Sequence, residues 1–107
     1  MLARGSVRFV DAEDEKLVTL ARAAKARASD RSAGAAVRDD IGRTYAAAAV
    51  TLGPLALSAL ELAAAMAASS GVERLESAAY VGAAPPDDRS RAVLAALGDP
   101  ALIVADD

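Results

Sequence analysis

The side chains that most often carry out catalysis or bind metals are missing from this sequence, because it contains no histidine and no cysteine. Their absence removes the imidazole base, the thiolate nucleophile and nearly every zinc site built from nitrogen or sulfur ligands. The residues left for chemistry are Asp, Glu, Lys, Arg, Ser, Thr and two tyrosines. The composition therefore argues against most of the usual catalytic arrangements.

The polar residues that do cluster have simple structural explanations. An acidic run at residues 13–15 follows Asp11, a plausible helix N-cap, and acids at a helix start interact favourably with the helix dipole. A basic cluster at the end of the same predicted helix consists of Arg22, Lys25, Arg27 and Arg31. A serine nucleophile at Ser58 would need a nearby base, and the sequence places neither Lys16 nor Lys25 beside it. Relocated enzyme chemistry is the least favoured of three functional hypotheses.

The charge and hydropathy of the sequence limit the partners and cellular locations that can be expected. A net charge of −3 argues against a dedicated nucleic-acid surface, which normally needs a basic face. Arg4 and Arg8 interrupt the N-terminal segment, so no signal peptide is expected. The most apolar stretch, residues 55–68, contains Glu61 and is too short to cross a bilayer. We expect a cytoplasmic protein without membrane contact.

Alanine dominates the apolar residues, with 30 alanines in a chain of 107 residues. A buried alanine contributes less hydrophobic free energy than a buried leucine, so a small alanine-rich core gains little area per residue. We therefore expect alanine-rich faces to be buried between copies of the chain; the alternative is that the alanine content reflects a high-GC coding bias. The expected assembly is a homodimer or homotetramer, and a protein partner of another kind stays open.

Hydrophobic periodicity, turn residues and helix caps predict the helices and strands of this chain. Leu17, Leu20 or Ala21, Ala24 and Ala28 form the apolar stripe of a first helix. Residues 33–38 and 43–50 flank the short connection Asp39-Asp40-Ile41-Gly42, whose Asp and Gly residues predict a β-hairpin. Pro54 or Leu55 opens a second helix that Gly71 ends; its two apolar stripes are Leu55, Ala59, Leu62 and Met66, and Leu60, Ala63 and Ala67. The remaining predicted elements are a strand at 75–82, a helix capped by Asp87 or Asp88 and ended by Gly98, and a strand at 102–104.

Strand–helix–strand connections with short loops imply parallel pairing with helices covering the sheet. The predicted fold class is α/β. It is a three-layer α/β/α domain with a mixed sheet of about four strands, the first two antiparallel. Residues 1–107 are expected to form a single domain with a core of about 12–105.

Four short motifs, in order, resemble the cytidine deaminase family, including blasticidin-S-type deaminases. They are Ala33-Gly34-Ala35-Ala36-Val37, Gly42-Arg43-Thr44-Tyr45, Ala67-Ala68-Ser69-Ser70-Gly71, and residues 86–94 with Pro86, Arg91 and Leu94 retained. The resemblance covers about Leu17 to Val104 and implies a cytidine deaminase-like fold. By itself it would imply a hydrolase of nucleoside metabolism.

The resemblance also implies a zinc ion held by three Cys or His ligands and a glutamate that transfers protons. Carried over position by position, the ligands fall on Ser58, Asp87 and Ser90, and the glutamate falls on Leu60. The residues that hold the ribose have their nearest match at Ala49 and Thr51. Serine is a poor zinc ligand at neutral pH, leucine cannot transfer a proton, and one aspartate alone does not hold a catalytic zinc tightly. We therefore expect no zinc, no other cofactor and no catalytic residue. The degenerate pocket positions are Ala49, Thr51, Ser58, Leu60, Asp87 and Ser90.

Two further functional hypotheses follow. The first is a non-catalytic homologue, or pseudoenzyme, that acts through oligomer or partner interfaces. Leu57, Leu60, Ala64 and the residues around Arg91 would lie at these interfaces, unless they only fill the core of one chain. The second is a module that binds a nucleoside or base in the vestigial pocket.

Overall fold

The computed structural model describes residues 12–106 and contains three helices and six strands within them. Their order is α1 (Ala12–Arg27), β1 (Ala33–Asp39), β2 (Thr44–Ala48), β3 (Val50–Leu52), β4 (Leu55–Leu57), α2 (Ala59–Ser69), β5 (Leu75–Gly82), α3 (Asp88–Ala96) and β6 (Ala101–Ala105). The predicted N-cap Asp11 lies outside the described residues.

A four-stranded mixed sheet in the order β2-β1-β5-β6 forms the middle layer. β1 pairs antiparallel with both β2 and β5, and β5 pairs parallel with β6. The predicted fold class, with its antiparallel first hairpin, is confirmed. The connection through α2 does not give a parallel pair, however, because β1 lies between β2 and β5. Only the connection through α3 joins two adjacent parallel strands.

The turn between β1 and β2 is organised by Asp39, whose side chain is almost fully buried. Its Oδ1 accepts hydrogen bonds from the backbone N–H groups of Ile41 and Arg43, and its Oδ2 pairs with Arg43 Nε at 2.7 Å. Burial alone would raise the pKa of Asp39, but the hydrogen bonds from Arg43 and Ile41 and the Arg43 charge hold it below the ordinary 3.8. The predicted Asp-Gly turn is therefore fastened by the aspartate that begins it.

Helix α1 covers one face of the sheet through a buried cluster that includes Leu17, Val18 and Ala21. The predicted positions Leu17, Ala21 and Ala24 are buried as expected, and Leu20 is half-buried. The helix lies unusually close to β1 at Gly34. A Cβ on that residue would stand 2.1 Å from the carbonyl oxygen of Ala21.

The opposite face is covered by α2 and α3. The predicted stripe of Leu60, Ala63 and Ala67 is fully buried there. The prediction of a second apolar stripe, which included Leu55 and Met66, is wrong in part because these side chains are 46% and 39% exposed. Leu55 belongs to a strand, not to the helix.

The second helix begins at Ala59, four or five residues later than predicted. Residues 50–57 form a second small hairpin, β3–β4, with Gly53 at a φ of 56° in its turn. Ser58 caps α2, and Glu61 completes a capping box with it. A prediction of helix from residue 54 or 55 was wrong because a short apolar run suits a strand as well as a helix.

Two residues expected at an interface between copies lie inside this chain. Leu60 and Ala64 have no exposed surface. Leu60 packs in the cluster between α2 and the sheet. Because both side chains are buried within one chain, the core alternative is correct for them. Leu57 is half-buried and Arg91 is exposed. Among the helices of residues 12–106, none is both long and apolar enough to cross a membrane.

Candidate functional site

The N-terminal ends of α2 and α3 meet beside the sheet, and two serines connect them. Ser58, the N-cap of α2, and Ser90, in the first turn of α3, place their Oγ atoms 2.6 Å apart. Ser58 Oγ also accepts a hydrogen bond from the backbone N–H of Glu61 at 3.1 Å. Asp87, the N-cap of α3, accepts from the backbone N–H of Ser90 at 2.8 Å. The two helix starts are therefore joined through hydroxyl groups.

A small cavity of about 140 Å³ lies against these residues. Four of the six predicted pocket positions line it together, namely Ala49, Ser58, Asp87 and Ser90. Tyr80 of β5 and Pro86 also contribute to its wall. Four positions taken from the family resemblance therefore lie together at one cavity in the fold.

The other two predicted positions lie elsewhere. Leu60 is fully buried in the core between α2 and the sheet and does not line the cavity. Thr51 is exposed on β3 and lines a groove of about 530 Å³ along β2. Ala49 lines both this groove and the cavity at the helix ends.

Glu61 is a site residue that the sequence reasoning missed. Its Oε1 accepts a hydrogen bond from the backbone N–H of Ser58 at 2.7 Å, and its Oε2 pairs with Arg89 Nε at 2.6 Å. The Glu61 side chain is only 8% exposed, whereas that of Arg89 is 74% exposed. This carboxylate ties α2 to α3. The Ser-x-x-Glu spacing of a capping box was the signal that could have identified both the helix start and Glu61.

The titratable groups at the cavity are held in ordinary charge states at neutral pH. Hydrogen bonds from the side chain and backbone of Ser90, in that order, lower the pKa of Asp87. Burial, and then the charge of Asp87, raise the pKa of the Tyr80 hydroxyl, which donates to the carbonyl oxygen of Ala84 at 2.9 Å. Asp87 is therefore an anion with weakened basicity, and Tyr80 is neutral. Neither is poised as a general acid or base near neutral pH.

A serine nucleophile at Ser58 lacks an activating base among these neighbours. Its hydroxyl contacts another hydroxyl and a backbone N–H. Because a hydroxyl carries one proton, a Ser90 hydroxyl that donates to Asp87 must accept from Ser58. The hydrogen bonds would then run from Ser58 through Ser90 to the Asp87 carboxylate. Because the pKa of Asp87 is lowered, this carboxylate is a poor acceptor for a serine proton.

The residues present do not fit a zinc ion. Catalytic zinc is normally held by three nitrogen, sulfur or carboxylate ligands, and the corresponding positions offer two serine hydroxyls and one carboxylate. The two hydroxyls satisfy each other at 2.6 Å, and Asp87 is engaged in capping α3. Within the described part of the chain no group of three or more His, Cys, Asp or Glu side chains is arranged to hold a metal.

The mixed four-stranded sheet, covered by α1 on one face and by two helices with converging N-termini on the other, defines a cytidine deaminase-like domain. The sequence model of that family, described as cytidine deaminase-like, matches residues 10–107. This chain belongs to the cytidine deaminase-like family.

Solved structures of cytidine deaminases are similar to it. The enzyme from Mycobacterium tuberculosis is 29% identical, with a TM-score of 0.72 over 86% of this chain and 83% of its own. That from Mycobacterium leprae is 26% identical, with a TM-score of 0.70 over 86% of each chain. That from Burkholderia pseudomallei is 25% identical, with a TM-score of 0.70 over 82% of this chain and 79% of its own. No curated protein sequence matches significantly.

Proposed function

We propose that this chain is a cytoplasmic, non-catalytic member of the cytidine deaminase-like family that acts by association with further copies of itself or with another protein. The observation that carries the proposal is the hydrogen bond of 2.6 Å between Ser58 and Ser90. It occupies the point where two ligands of a catalytic zinc would meet.

The position assigned to proton transfer supports the same conclusion. Leu60 cannot carry a proton, and its side chain is fully buried in the core. The nearest glutamate, Glu61, is committed to capping α2 and to Arg89. A glutamate that already accepts two strong contacts is a positioning residue for the helices. It is not a free acid or base.

A second candidate function is the binding of a small polar molecule in the cavity at the helix ends. Ser58, Asp87 and Ser90 and the two helix N-termini would supply its hydrogen bonds. The volume of about 140 Å³ is below the roughly 300–1,000 Å³ of most ligand pockets. This size favours a free base or a smaller molecule over a whole nucleoside.

The first experiment is a deamination assay of the purified chain on cytidine, with and without added Zn²⁺, together with metal analysis. We expect no turnover and no retained zinc. The matched variant is Ser58→Cys combined with Asp87→Cys and Ser90→Cys, which supplies three thiolates at the converging helix ends. We expect this variant to retain zinc where the wild type does not. Zinc-dependent turnover by the wild type would overturn the proposal.

A thermal-shift screen tests the second candidate. A ligand present at about a hundred times its Kd stabilises a protein by about 2.7 kcal/mol, which is readily detected in a small domain. Cytosine, uracil, cytidine and uridine are the probes, and Ser90→Ala is the control variant. A shift with a base that is lost in Ser90→Ala supports binding in the cavity. No shift with any probe removes this candidate.

A further inference from the structure

Strand β6 lies at an edge of the sheet. It pairs with β5 in a regular parallel register from Ser77↔Ala101 to Val81↔Ala105, without a bulge. Among residues 12–106, no strand pairs with its other side. The side chains of Leu102, Ile103 and Val104 are each half-buried, packed against the core on one side. One row of backbone N–H and C=O groups is therefore directed away from the sheet.

Within residues 101–105 this edge carries no charged side chain, no proline and no bulge. Edge strands are usually blunted by a charged side chain, a proline or a bulge. The sequence of β6 is Ala-Leu-Ile-Val-Ala, which contains only apolar residues. Such an edge is suited to pairing with a further strand.

The sequence of β6 is close to a palindrome centred on Ile103, and this symmetry identifies the partner strand. In an antiparallel pair about a two-fold axis at Ile103, each Ala101 lies opposite an Ala105 and each Leu102 opposite a Val104 of the other copy. Because the axis is perpendicular to the sheet, each face of one sheet continues into the same face of the other. Ile103 belongs to the α1 side, and Leu102 and Val104 to the α2 side. Apolar side chains thus meet apolar side chains on both faces.

The residues that flank β6 select this register. A shift by one residue would pair residues whose side chains belong on opposite faces of the sheet, such as Ile103 with Val104. A shift by two residues would bring either Pro100 or Asp106 between the paired strands. Pro100 has no N–H to donate, and an acid beside Leu102 would lose its hydration. In the centred register both residues lie just outside the paired segment.

We propose that β6 pairs antiparallel with β6 of a second copy of this chain, so that two four-stranded sheets become one continuous sheet. The proposal deepens the proposed function, since it names the partner and the surface of the association. A two-fold contact of this kind is closed, because each copy uses its only β6 edge on the other. The expected species is a dimer.

Cysteine trapping tests the register directly, because the chain has no cysteine of its own. In the proposed pair the two Ile103 Cα atoms lie about 4.5–5.5 Å apart, within the roughly 4.4–6.8 Å of disulfides. Ile103→Cys should therefore form a covalent dimer under mild oxidation. The two Leu102 Cα atoms would lie about 8 Å apart from the strand rise and spacing, so Leu102→Cys should not. Ile41→Cys, at a side chain 72% exposed, measures cross-linking by random collision.

The wild-type chain is examined in parallel by sedimentation from micromolar to millimolar concentrations. We expect a species of twice the 10.8 kDa chain mass, with circular dichroism confirming that the variants are folded. A monomeric wild type at all concentrations would overturn the proposal. So would Ile103→Cys cross-linking no faster than Ile41→Cys, or faster cross-linking by Leu102→Cys.

The deamination assay on the same preparation separates this inference from the proposed function. A dimer trapped at Ile103 that also deaminates cytidine would retain the β6 pairing and overturn the non-catalytic assignment. A monomer that does not deaminate cytidine would overturn the β6 pairing and leave the non-catalytic assignment in place.

Discussion

Replacing Gly34 by alanine should separate α1 from the sheet. A Cβ at this position would stand 2.1 Å from the carbonyl oxygen of Ala21 and 2.9 Å from the backbone nitrogen of Lys25. Ordinary contacts need at least about 3 Å, so the helix would have to move by about 1 Å. The obstacle is backbone, and no side-chain rotation can relieve it. The movement would loosen Leu17, which is fully buried against the sheet.

The expected loss of stability follows from two opposing effects. Overpacking a well-packed core costs about 1–3 kcal/mol, and a backbone obstacle places this substitution at the upper end. Replacing glycine by alanine also restricts the unfolded chain, which returns about 0.4–1 kcal/mol. The net loss in the free energy of unfolding should be about 2 kcal/mol. At about 4–8 °C per kcal/mol for a domain of this size, the Tm should fall by about 8–16 °C.

Urea and thermal unfolding of Gly34→Ala and Gly82→Ala provide the measurement. Gly82 is the matched control, because it also lies on a strand but its nearest obstacle, the carbonyl oxygen of Ser32, is 3.0 Å away. We expect Gly82→Ala to lose less than Gly34→Ala, at the lower end of about 1–3 kcal/mol, because its neighbours need to yield by only a few tenths of an ångström. A loss under about 0.5 kcal/mol in Gly34→Ala, or one no larger than in the control, would refute the close packing of α1 on β1.

Three further predictions concern the site and the first turn. Ser58→Ala removes the N-cap of α2 and should lower the free energy of unfolding by about 1 kcal/mol, measured by urea unfolding; an unchanged midpoint would contradict the capping role. Glu61→Ala should lower the free energy of unfolding by about 1–2 kcal/mol. Arg89→Ala should lower it by only about 0.2–1 kcal/mol, because Arg89 is mostly exposed while Glu61 also holds the start of α2. Equal losses in the two variants would argue against this difference. Because the pKa of Asp39 is lowered in the folded state, its ionised form stabilises the protein above about pH 4 and this stabilisation is lost as the pH falls through the folded pKa. The Tm difference between wild type and Asp39→Asn should therefore be largest near neutral pH and shrink in acid, and a difference independent of pH would contradict this reasoning.

Several features of the fold could be predicted because their signals are local. The Asp-Gly turn after β1, the glycine after α2 and the Asp87 cap of α3 each depend on a few neighbouring residues. Such signals act through backbone geometry and short hydrogen bonds, so they are readable in sequence. The β3–β4 hairpin was missed, since its apolar strands resemble a helix start over so few residues.

The candidate site was predictable only in part. Four of its positions could be named from the family resemblance, and they line one cavity. The burial of Glu61 and its pairing with Arg89 could not be foreseen, because they depend on how closely α2 and α3 approach. Leu60 and Thr51 were assigned to the pocket by position, but Leu60 is packed in the core and Thr51 lines the groove along β2.

The sequence by itself determined which chemistry this protein lacks, since no arrangement of the chain can supply a thiolate or an imidazole from residues it does not contain. Only the tertiary structure decided what replaces that chemistry. Ser58 and Ser90 are 32 positions apart, and their hydroxyls meet because two helices dock on the same face of the sheet. The edge position of β6 is likewise a property of the sheet order, in which neighbours are chosen by packing over long sequence separations.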